Sequence, residues 1–355
     1  MADIVPCRIS KPLYLQAGSG YGPTQLISLR EHLQTPMPAS SASTGSAAAD
    51  TASEGSADQQ LPLILLTLHP GYSAGSYANR DYFELLTPLL YGSCDGKYRL
   101  RIYTINHPGH DLPPESKIDR FSTERYSIKE QPAMILPALR WLLQREYAAE
   151  DQINLVSYGH SMGGLALAQT DIGQLVQDLE HQGRLLRVKK VLSAPALALS
   201  REAKRTLRPL DALNALKHSV GRLPLYERVA TTLFRSLAPP LHRLSSKTFS
   251  LNPDDSFINF RRQNPFLLLQ LARELVKYQL DPRRLRDYFN DTHLFVFTGD
   301  RMVDSPALLR AASLARRQGA EVEVHLIKGM HSAERENPRA IALHLHGIIQ
   351  DMLAG

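Results

Sequence analysis

The chain has 355 residues, of which 43% are hydrophobic and 21% are charged. These proportions are those of an ordinary globular protein, and they exclude a wholly disordered, collagen-like or coiled-coil chain. The formal net charge of +6 permits an anionic partner, while the 2 cysteines exclude a disulfide framework and a cysteine-rich zinc site.

The first residues predict no targeting segment. The sequence MADIVPCRISKPLYLQ lacks the basic stretch and the apolar stretch of a signal peptide. The longest apolar run, residues 61–68, is too short to cross a bilayer. We therefore expect a cytoplasmic protein.

Residues 36–60 are rich in Ser, Ala and Gly and poor in large apolar side chains. Such a segment cannot bury enough apolar surface to offset the entropy that is lost when it becomes ordered. The stretches IVPCRIS and QLISL before it resemble short strands. We predict that residues 1–35 add strands to the core and that 36–60 form a disordered insertion between two strands. A docking or modification segment is the alternative to a solvated spacer.

From residue 61 onward, predicted strands and helices alternate. Residues 61–68 form an uninterrupted apolar run, which is typical of a strand buried on both faces of a parallel sheet. Further strands are predicted at 99–105, 152–157, 188–193, 292–298 and 322–327. Helices are predicted at 77–90, 128–147, 162–182, 305–317 and 337–353. This alternation predicts an α/β fold with a mostly parallel central sheet that helices cover on both faces.

Residues 196–290 interrupt the alternation, because they contain no convincing strand. They hold 13 Arg and 4 Lys against 8 acidic residues, a net charge of +9, which leaves −3 for the rest of the chain. They also contain Leu-rich stretches, of which the longest is FLLLQLARELVKYQL from Phe266. We interpret this segment as a helical, basic lid above the carboxyl edge of the sheet.

The most specific motif is Gly-His-Ser-Met-Gly at residues 159–163, which has the form G-x-S-x-G. It stands between a predicted strand and a predicted helix. In that setting Ser161 lies on a tight, strained turn that exposes its hydroxyl, and the N-terminus of the helix favours developing negative charge. The motif predicts a serine nucleophile. A Gly-rich phosphate turn or a structural bend is the alternative.

A serine hydroxyl needs a general base and a third group that orients the base. When the serine follows a strand in this way, the acid and then the histidine come later in the chain. Asp300 and His331 each follow a predicted strand, so we expect both at the sheet edge that carries Ser161. Asp304 is the rival acid, although its position also suits a helix cap. His325 lies inside a strand, where we expect a packed or exposed side chain.

Acyl transfer also needs N–H donors for the oxyanion. One expected donor is the backbone N–H of Met162, next to the nucleophile. The other is expected from the loop HPGYSAGS after the strand at 61–68. Pro70 has no N–H, and of Gly71 and Tyr72 we favour Tyr72. The alternative is that these glycines simply make a tight turn.

Together these segments resemble the α/β-hydrolase superfamily. The matching motifs are GHSMGG, HPG after an apolar strand, INHPGHDLPPES, VLSAPAL and GDRMVDS. More narrowly, they look like the monoacylglycerol lipase and lysophospholipase group, which shares its hydrolase domain with the serine aminopeptidase family. The resemblance covers roughly residues 60–350. It implies an α/β-hydrolase fold with its core in residues 61–195 and 291–355, a lid insertion at 196–290, and Asp300 as the triad acid.

The sequence therefore predicts a serine hydrolase that cleaves carboxylic esters through an acyl-enzyme. The leucines and arginines of residues 196–290 favour a lipid-like ester, such as a monoacylglycerol or a lysophospholipid, and peripheral contact with an anionic membrane. A solvated basic face is the alternative interpretation of that charge. A peptidase or thioesterase of the same fold, or a non-catalytic protein that kept the fold, remains an alternative function.

The mechanism requires no cofactor. The sequence contains no phosphate-binding loop, no dinucleotide fingerprint and no metal-ligand spacing, and we expect His107 and His110 to be structural. The basic segment lacks interleaved aromatic residues and a known nucleic-acid module, so no nucleic acid is predicted as a partner.

Overall fold

The computed structural model describes residues 7–9, 11, 13–17, 25–34, 61–72, 81–94, 96–107, 110, 128, 132–209, 229, 232, 236 and 265–355. The predicted insertion at 36–60 lies outside the described residues. So does the stretch 210–264 of the predicted lid, apart from three single positions.

Nine strands of the described residues form one sheet. Their bounds are β1 (Cys7–Ile9), β2 (Leu13–Ala17), β3 (Gln25–Gln34), β4 (Leu63–His69), β5 (Arg99–Ile105), β6 (Gln152–His160), β7 (Leu185–Ser193), β8 (Thr292–Phe297) and β9 (Val322–Ile327). Their order is β1-β3-β5-β4-β6-β7-β8-β9, with β2 also paired to β3. The first three strands pair antiparallel, and the six strands from β5 to β9 along this order pair parallel.

Helices connect the parallel strands. In the described residues they are α1 (Thr87–Gly92), α2 (Pro132–Trp141), α3 (Met162–Ala168), α4 (Gly173–Glu180), α5 (201–209), α6 (Pro265–Lys277), α7 (Leu285–Phe289), α8 (Ser305–Arg317), α9 (Ala333–Glu336) and α10 (Pro338–Ala354). Every residue of β4 and β8 is buried, so both faces of the sheet are covered there. The predicted α/β fold with a mostly parallel sheet is confirmed.

The prediction of one helix over residues 162–182 is wrong, because α3 ends at Ala168 and α4 begins only at Gly173. Two polar side chains satisfy backbone groups at this break. Thr170 donates its hydroxyl to the Ala166 carbonyl at 2.8 Å, and Asp171 accepts the Gly173 N–H at 3.0 Å. Such local bonds compete with the continuation of a helix.

The described part of residues 196–290 consists of helices, turns and irregular chain, with a single bridge between Leu199 and Val303. Helices α6 and α7 bury their apolar side chains in the same hydrophobic core as the sheet, for example at Leu271 and Phe289. The limits of a lid at 196 and 290 stay a prediction. No helix in the described ranges combines the length and the apolar character needed to cross a bilayer.

The parallel strands place four chain segments along one edge of the sheet. Strand β4 ends at His69, β6 at His160, β8 at Phe297 and β9 at Ile327. Because these strands run in the same direction, the loops that follow them meet at this carboxyl edge.

Candidate active site

Ser161 occupies the turn between β6 and α3. Its backbone has φ of 52° and ψ of −116°, a conformation that non-glycine residues seldom adopt and that costs about 1–3 kcal/mol. The neighbouring chain holds this turn in place. The Ser161 N–H donates to the Ser193 carbonyl at 2.9 Å, and the Ser161 carbonyl accepts the Ala196 N–H at 2.8 Å. These bonds fix the strained turn on which the serine lies.

The glycines around the turn leave no room for a side chain. A Cβ on Gly163 would lie 2.1 Å from the His69 carbonyl oxygen. A Cβ on Gly159 would lie 2.7 Å from the Gly163 carbonyl oxygen, and one on Gly164 would lie 2.7 Å from the Gly159 carbonyl oxygen. No carbon atom approaches an oxygen this closely, so the glycines allow β4, the turn and α3 to come into contact.

His331 joins Ser161 to Asp300 through its two ring nitrogens. Its Nε2 lies 3.0 Å from Ser161 Oγ, and its Nδ1 lies 2.8 Å from Asp300 Oδ2. An ionised carboxylate can only accept a hydrogen bond, so Nδ1 carries the proton and Nε2 accepts from the serine hydroxyl. The structure thus brings together the three side chains that we selected from the sequence, and all three are buried.

Charge and hydrogen bonds at Asp300 set the ionisation of this group of side chains. The backbone N–H groups of Met302 and Val303 donate to Asp300 Oδ1 at 2.7 and 3.0 Å. Burial opposes the charged carboxylate, but His331 and these two donors outweigh it and lower the pKa of Asp300. Burial also opposes the imidazolium, but the charge and the hydrogen bond of Asp300 raise the pKa of His331 above its usual value. The site is therefore arranged to stabilise a proton on His331.

The rival residues make other contacts. Asp304 accepts the Ala307 N–H at 2.9 Å and caps α8. His325 lies within β9, and its Nε2 is 3.1 Å from Nδ1 of His293. Asp304 and His325 therefore make contacts other than those that join Ser161, His331 and Asp300.

The loop after β4 lies directly against the serine turn. A Cβ on Gly71 would lie 3.1 Å from the Cβ of Ser161. Buried His107 donates through Nε2 to the Pro70 carbonyl oxygen at 2.8 Å, and burial lowers the pKa of His107 to about 3, so the ring stays neutral. His107 thus supports this loop, and it does so as a structural residue.

The two predicted oxyanion donors, Tyr72 and Met162, belong to two different segments next to the nucleophile. Tyr72 follows Gly71 in the loop, and Met162 follows Ser161 as the first residue of α3. The Tyr72 hydroxyl donates to the Leu268 carbonyl in α6 at 2.8 Å, which ties the loop to that helix. The backbone at both predicted oxyanion donors therefore lies near the serine.

A buried carboxylate, Glu334, also lies at the site, and sequence reasoning missed it. Its Oε1 accepts the hydroxyl of Tyr158 and, at 3.0 Å, the hydroxyl of Ser193, and it lies 3.0 Å from Nδ1 of His160. Burial favours the neutral acid, but His160, the Tyr158 hydroxyl and the backbone N–H of Glu334 outweigh it and lower the pKa of Glu334 to about 2. The ionised carboxylate adds to Asp300 in raising the pKa of His331.

The sequence carries only a weak signal for this second acid. Glu334 comes three residues after His331, and His160 directly precedes Ser161. Each residue is therefore a neighbour of a predicted catalytic residue, but nothing in the spacing indicates that they contact each other.

Comparisons with solved structures give the same fold at low sequence identity. An esterase from Thermogutta terrifontis, solved with malate bound, is similar with a TM-score of 0.54 and 13% identity, over 97% of this chain and 99% of that chain. A peroxisomal alpha/beta-hydrolase from Saccharomyces cerevisiae is similar with a TM-score of 0.55 and 11% identity, over 99% and 91% of the two chains. No curated protein sequence matches this chain.

The family comparison covers the whole site. The sequence profile of the alpha/beta hydrolase family matches residues 65–343. This range includes the strand before the Gly71 loop, the serine turn, and the loops of Asp300 and His331. From the profile, the fold and the position of these side chains at the sheet edge, it follows that the chain belongs to the alpha/beta hydrolase family.

Proposed function

We propose that the protein is a serine hydrolase that cleaves carboxylic esters through an acyl-enzyme formed on Ser161. The observation that carries the proposal is the continuous set of contacts from Ser161 Oγ to His331 Nε2 at 3.0 Å and from His331 Nδ1 to Asp300 Oδ2 at 2.8 Å. A nucleophile, a base and a group that orients the base are the parts that acyl transfer from a serine requires.

In the first step, Ser161 Oγ attacks the ester carbonyl carbon and its proton passes to His331 Nε2. The resulting imidazolium is stabilised by Asp300, which stays ionised. The tetrahedral intermediate collapses when His331 gives this proton to the oxygen of the leaving alcohol. Water then attacks the acyl carbon, with His331 again taking and returning a proton, and the carboxylic acid leaves Ser161 intact.

The oxyanion of both tetrahedral intermediates needs two N–H donors. We assign this role to the backbone N–H groups of Met162 and Tyr72. The position of Met162 at the N-terminus of α3 and the approach of the Gly71 loop to Ser161 support the assignment. One such donor contributes about 2.7–4 kcal/mol to the transition state.

We assign a lipid-like ester as substrate, in the class of monoacylglycerols and lysophospholipids. The hydrogen bond from Tyr72 to Leu268 brings the Leu-rich helix α6 next to the oxyanion loop. Apolar surroundings at this position favour an acyl chain over a polar acyl group.

A basic helix face near the same edge supports contact with an anionic membrane. Arg201, Lys204, Arg205 and Arg208 recur at the three- and four-residue spacing that places them on one face of α5, while Ala203 and Leu207 are buried. Helix α5 starts directly beyond Ser200, whose N–H donates to the Met302 carbonyl in the loop of Asp300 at 2.8 Å. Helix α5 therefore starts beside the loop of Asp300, and a membrane bound to its basic face would present lipids near the proposed active site.

A fluorophosphonate probe and a panel of esters test the proposal together. We expect the probe to label wild-type protein at Ser161, and we expect faster cleavage of monoacylglycerol and lysophospholipid than of a short acyl ester. Ser161→Ala serves as the control, because it keeps the fold and removes the nucleophile. Labelling or ester cleavage that persists in S161A contradicts the assignment, and faster cleavage of a matched thioester or peptide amide favours a different hydrolase.

A further inference from the structure

We propose that His293, Glu323 and His325 form a zinc-binding site between β8 and β9, separate from the proposed hydrolase site. In the part of the chain that the structure describes, this is the single group of three His, Cys, Asp or Glu residues whose ligand atoms all lie within 4.8 Å of one another. The sequence alone predicts no metal site, because the two histidines are 32 residues apart and are brought together only by the sheet.

The pairing of two strands places the three side chains together. Strands β8 and β9 run parallel, with His293 opposite Glu323 and Phe295 opposite His325. Side chains two residues apart on a strand lie on the same face, so Glu323 and His325 share the face that carries His293. Ladder hydrogen bonds fix both strands, which makes the ligand positions rigid.

Two of the three distances match those between the ligand atoms of a tetrahedral zinc ion, and the third is slightly shorter. His293 Nδ1 is 3.1 Å from His325 Nε2, and the two nitrogens are 3.4 and 3.5 Å from the carboxylate oxygens of Glu323. Zinc binds nitrogen and oxygen at about 2.0–2.2 Å, so two ligand atoms of a tetrahedral site lie about 3.3–3.5 Å apart. The two contacts to the carboxylate are long for hydrogen bonds, yet they fit this separation.

The side chains also have the chemistry that zinc requires. An imidazole nitrogen is a common zinc ligand and binds the ion through its lone pair. Two histidines and one carboxylate are a common zinc ligand set, in which a water molecule takes the fourth position.

The surroundings allow a cation to enter and remain. The Glu323 side chain is 63% exposed, whereas those of His293 and His325 are 11% and 13% exposed, so the site opens to solvent on the carboxylate side. Asp351 of α10 adds a negative charge that favours a cation at His293. Lys189 opposes it, but its ammonium group is paired with Asp291 at 2.9 Å.

Bound zinc would connect β9, the last strand in the sheet order, to β8. These strands lead directly to the loops that carry His331 and Asp300. The expected consequence is greater stability of this end of the sheet, since an ion that binds the folded chain more tightly than the unfolded chain stabilises the fold.

The test is zinc binding to the full chain without a histidine tag, after treatment with a chelator. We expect one equivalent of Zn²⁺ to bind in a competition titration with a chromophoric chelator. We also expect the melting temperature to rise by a few degrees when free zinc exceeds Kd by about 100-fold. Co²⁺ in place of zinc is expected to give the visible absorption of a tetrahedral site.

Three variants assign the binding to these residues. H325A and E323Q are both expected to weaken zinc binding by at least about tenfold. E323Q changes an exposed side chain and so keeps the fold even if H325A does not. H181A, which removes the exposed histidine at the C-cap of α4, is the matched control and should bind like the wild type. Equal zinc affinity in wild type and E323Q, or a melting temperature that zinc does not raise, overturns the proposal. Because neither measurement depends on ester cleavage, this result leaves the proposed function standing.

Discussion

The imidazole of His160 lies against the imidazole of His331, with ring centroids 4.8 Å apart. His160 also contacts Glu334, so a buried carboxylate reaches the proposed catalytic base through a second histidine. The site therefore contains two acid–histidine pairs side by side. One pair contains the base that contacts Ser161, and the other adjusts the electrostatic potential at that base.

Replacing Glu334 by glutamine tests this coupling. The change removes a negative charge that raises the pKa of His331, so we expect that pKa to fall in E334Q. His331 then stays deprotonated, and active as a base, at lower pH. The acidic limb of the profile of kcat/KM against pH should therefore move to lower pH. E321Q, an exposed acid on the loop before β9, is the control. An unmoved acidic limb in an E334Q protein that melts like the wild type contradicts the coupling.

Asparagine substitutions at Asp300 and Asp304 form a matched pair that tests which of the two residues orients His331. D300N keeps the shape of the side chain but removes the charge that orients and stabilises His331, and we expect kcat to fall by roughly 10³–10⁴-fold. D304N should leave kcat and stability nearly unchanged, because asparagine caps a helix about as well as aspartate. Steady-state ester hydrolysis measures both. Equal losses in the two variants would remove the reason to assign the acid to Asp300.

Gly163 and Gly347 differ in the space around them. A Cβ at Gly163 would overlap the His69 carbonyl oxygen, whereas a Cβ at Gly347 meets nothing within 4 Å. We expect G163A to lose about 3 kcal/mol or more of unfolding free energy, together with probe labelling. G347A lies in the exposed interior of α10 and should gain about 0.5–1 kcal/mol. Chemical denaturation measures the unfolding free energy of both variants. A G163A protein as stable as the wild type would contradict the prediction.

Replacing Tyr72 by phenylalanine distinguishes the role of its backbone N–H from the role of its hydroxyl. Y72F removes the hydroxyl that donates to the Leu268 carbonyl but keeps the N–H that we assign to the oxyanion. We expect kcat for a short ester to change by less than about twofold and the unfolding free energy to fall by about 1 kcal/mol. A large loss of kcat on the short ester would instead assign the essential group to the Tyr72 hydroxyl.

Charge reversal on α5 tests the proposed membrane contact. The double change R205E/R208E inverts two exposed charges, and it should weaken binding to phosphatidylglycerol vesicles by at least about tenfold, as measured by co-sedimentation. R310E/R317E changes the same number of exposed arginines on α8 and serves as the control. Similar losses of vesicle binding in the two double variants would indicate that net charge alone determines binding. Phosphatidylcholine vesicles measure the binding that remains without anionic lipid.

Local sequence signals predicted much of the fold. The apolar run of β4, the alternation of strands and helices, and the G-x-S-x-G turn depend on residues close in the chain, so they can be identified without coordinates. The order of Ser161, Asp300 and His331 was also predictable, because each follows a strand that ends at one edge of a parallel sheet.

Contacts between distant segments were not predictable in the same way. The pairing of Glu334 with His160 depends on the depth at which α9 enters the core, and no spacing indicates it. The group formed by His293 and His325 depends on the register of β8 with β9. The break between α3 and α4 results from the side-chain bonds of Thr170 and Asp171, which helical periodicity alone does not reveal.

The contact between Ser161 and His331 spans 170 residues of chain. A ribosome therefore finishes the serine turn long before it makes the imidazole that would activate it. On the proposed mechanism, each newly synthesised molecule carries an inert hydroxyl until β9 joins the sheet. The distance along the chain thus keeps the proposed activity from starting before the last strand of the sheet is in place.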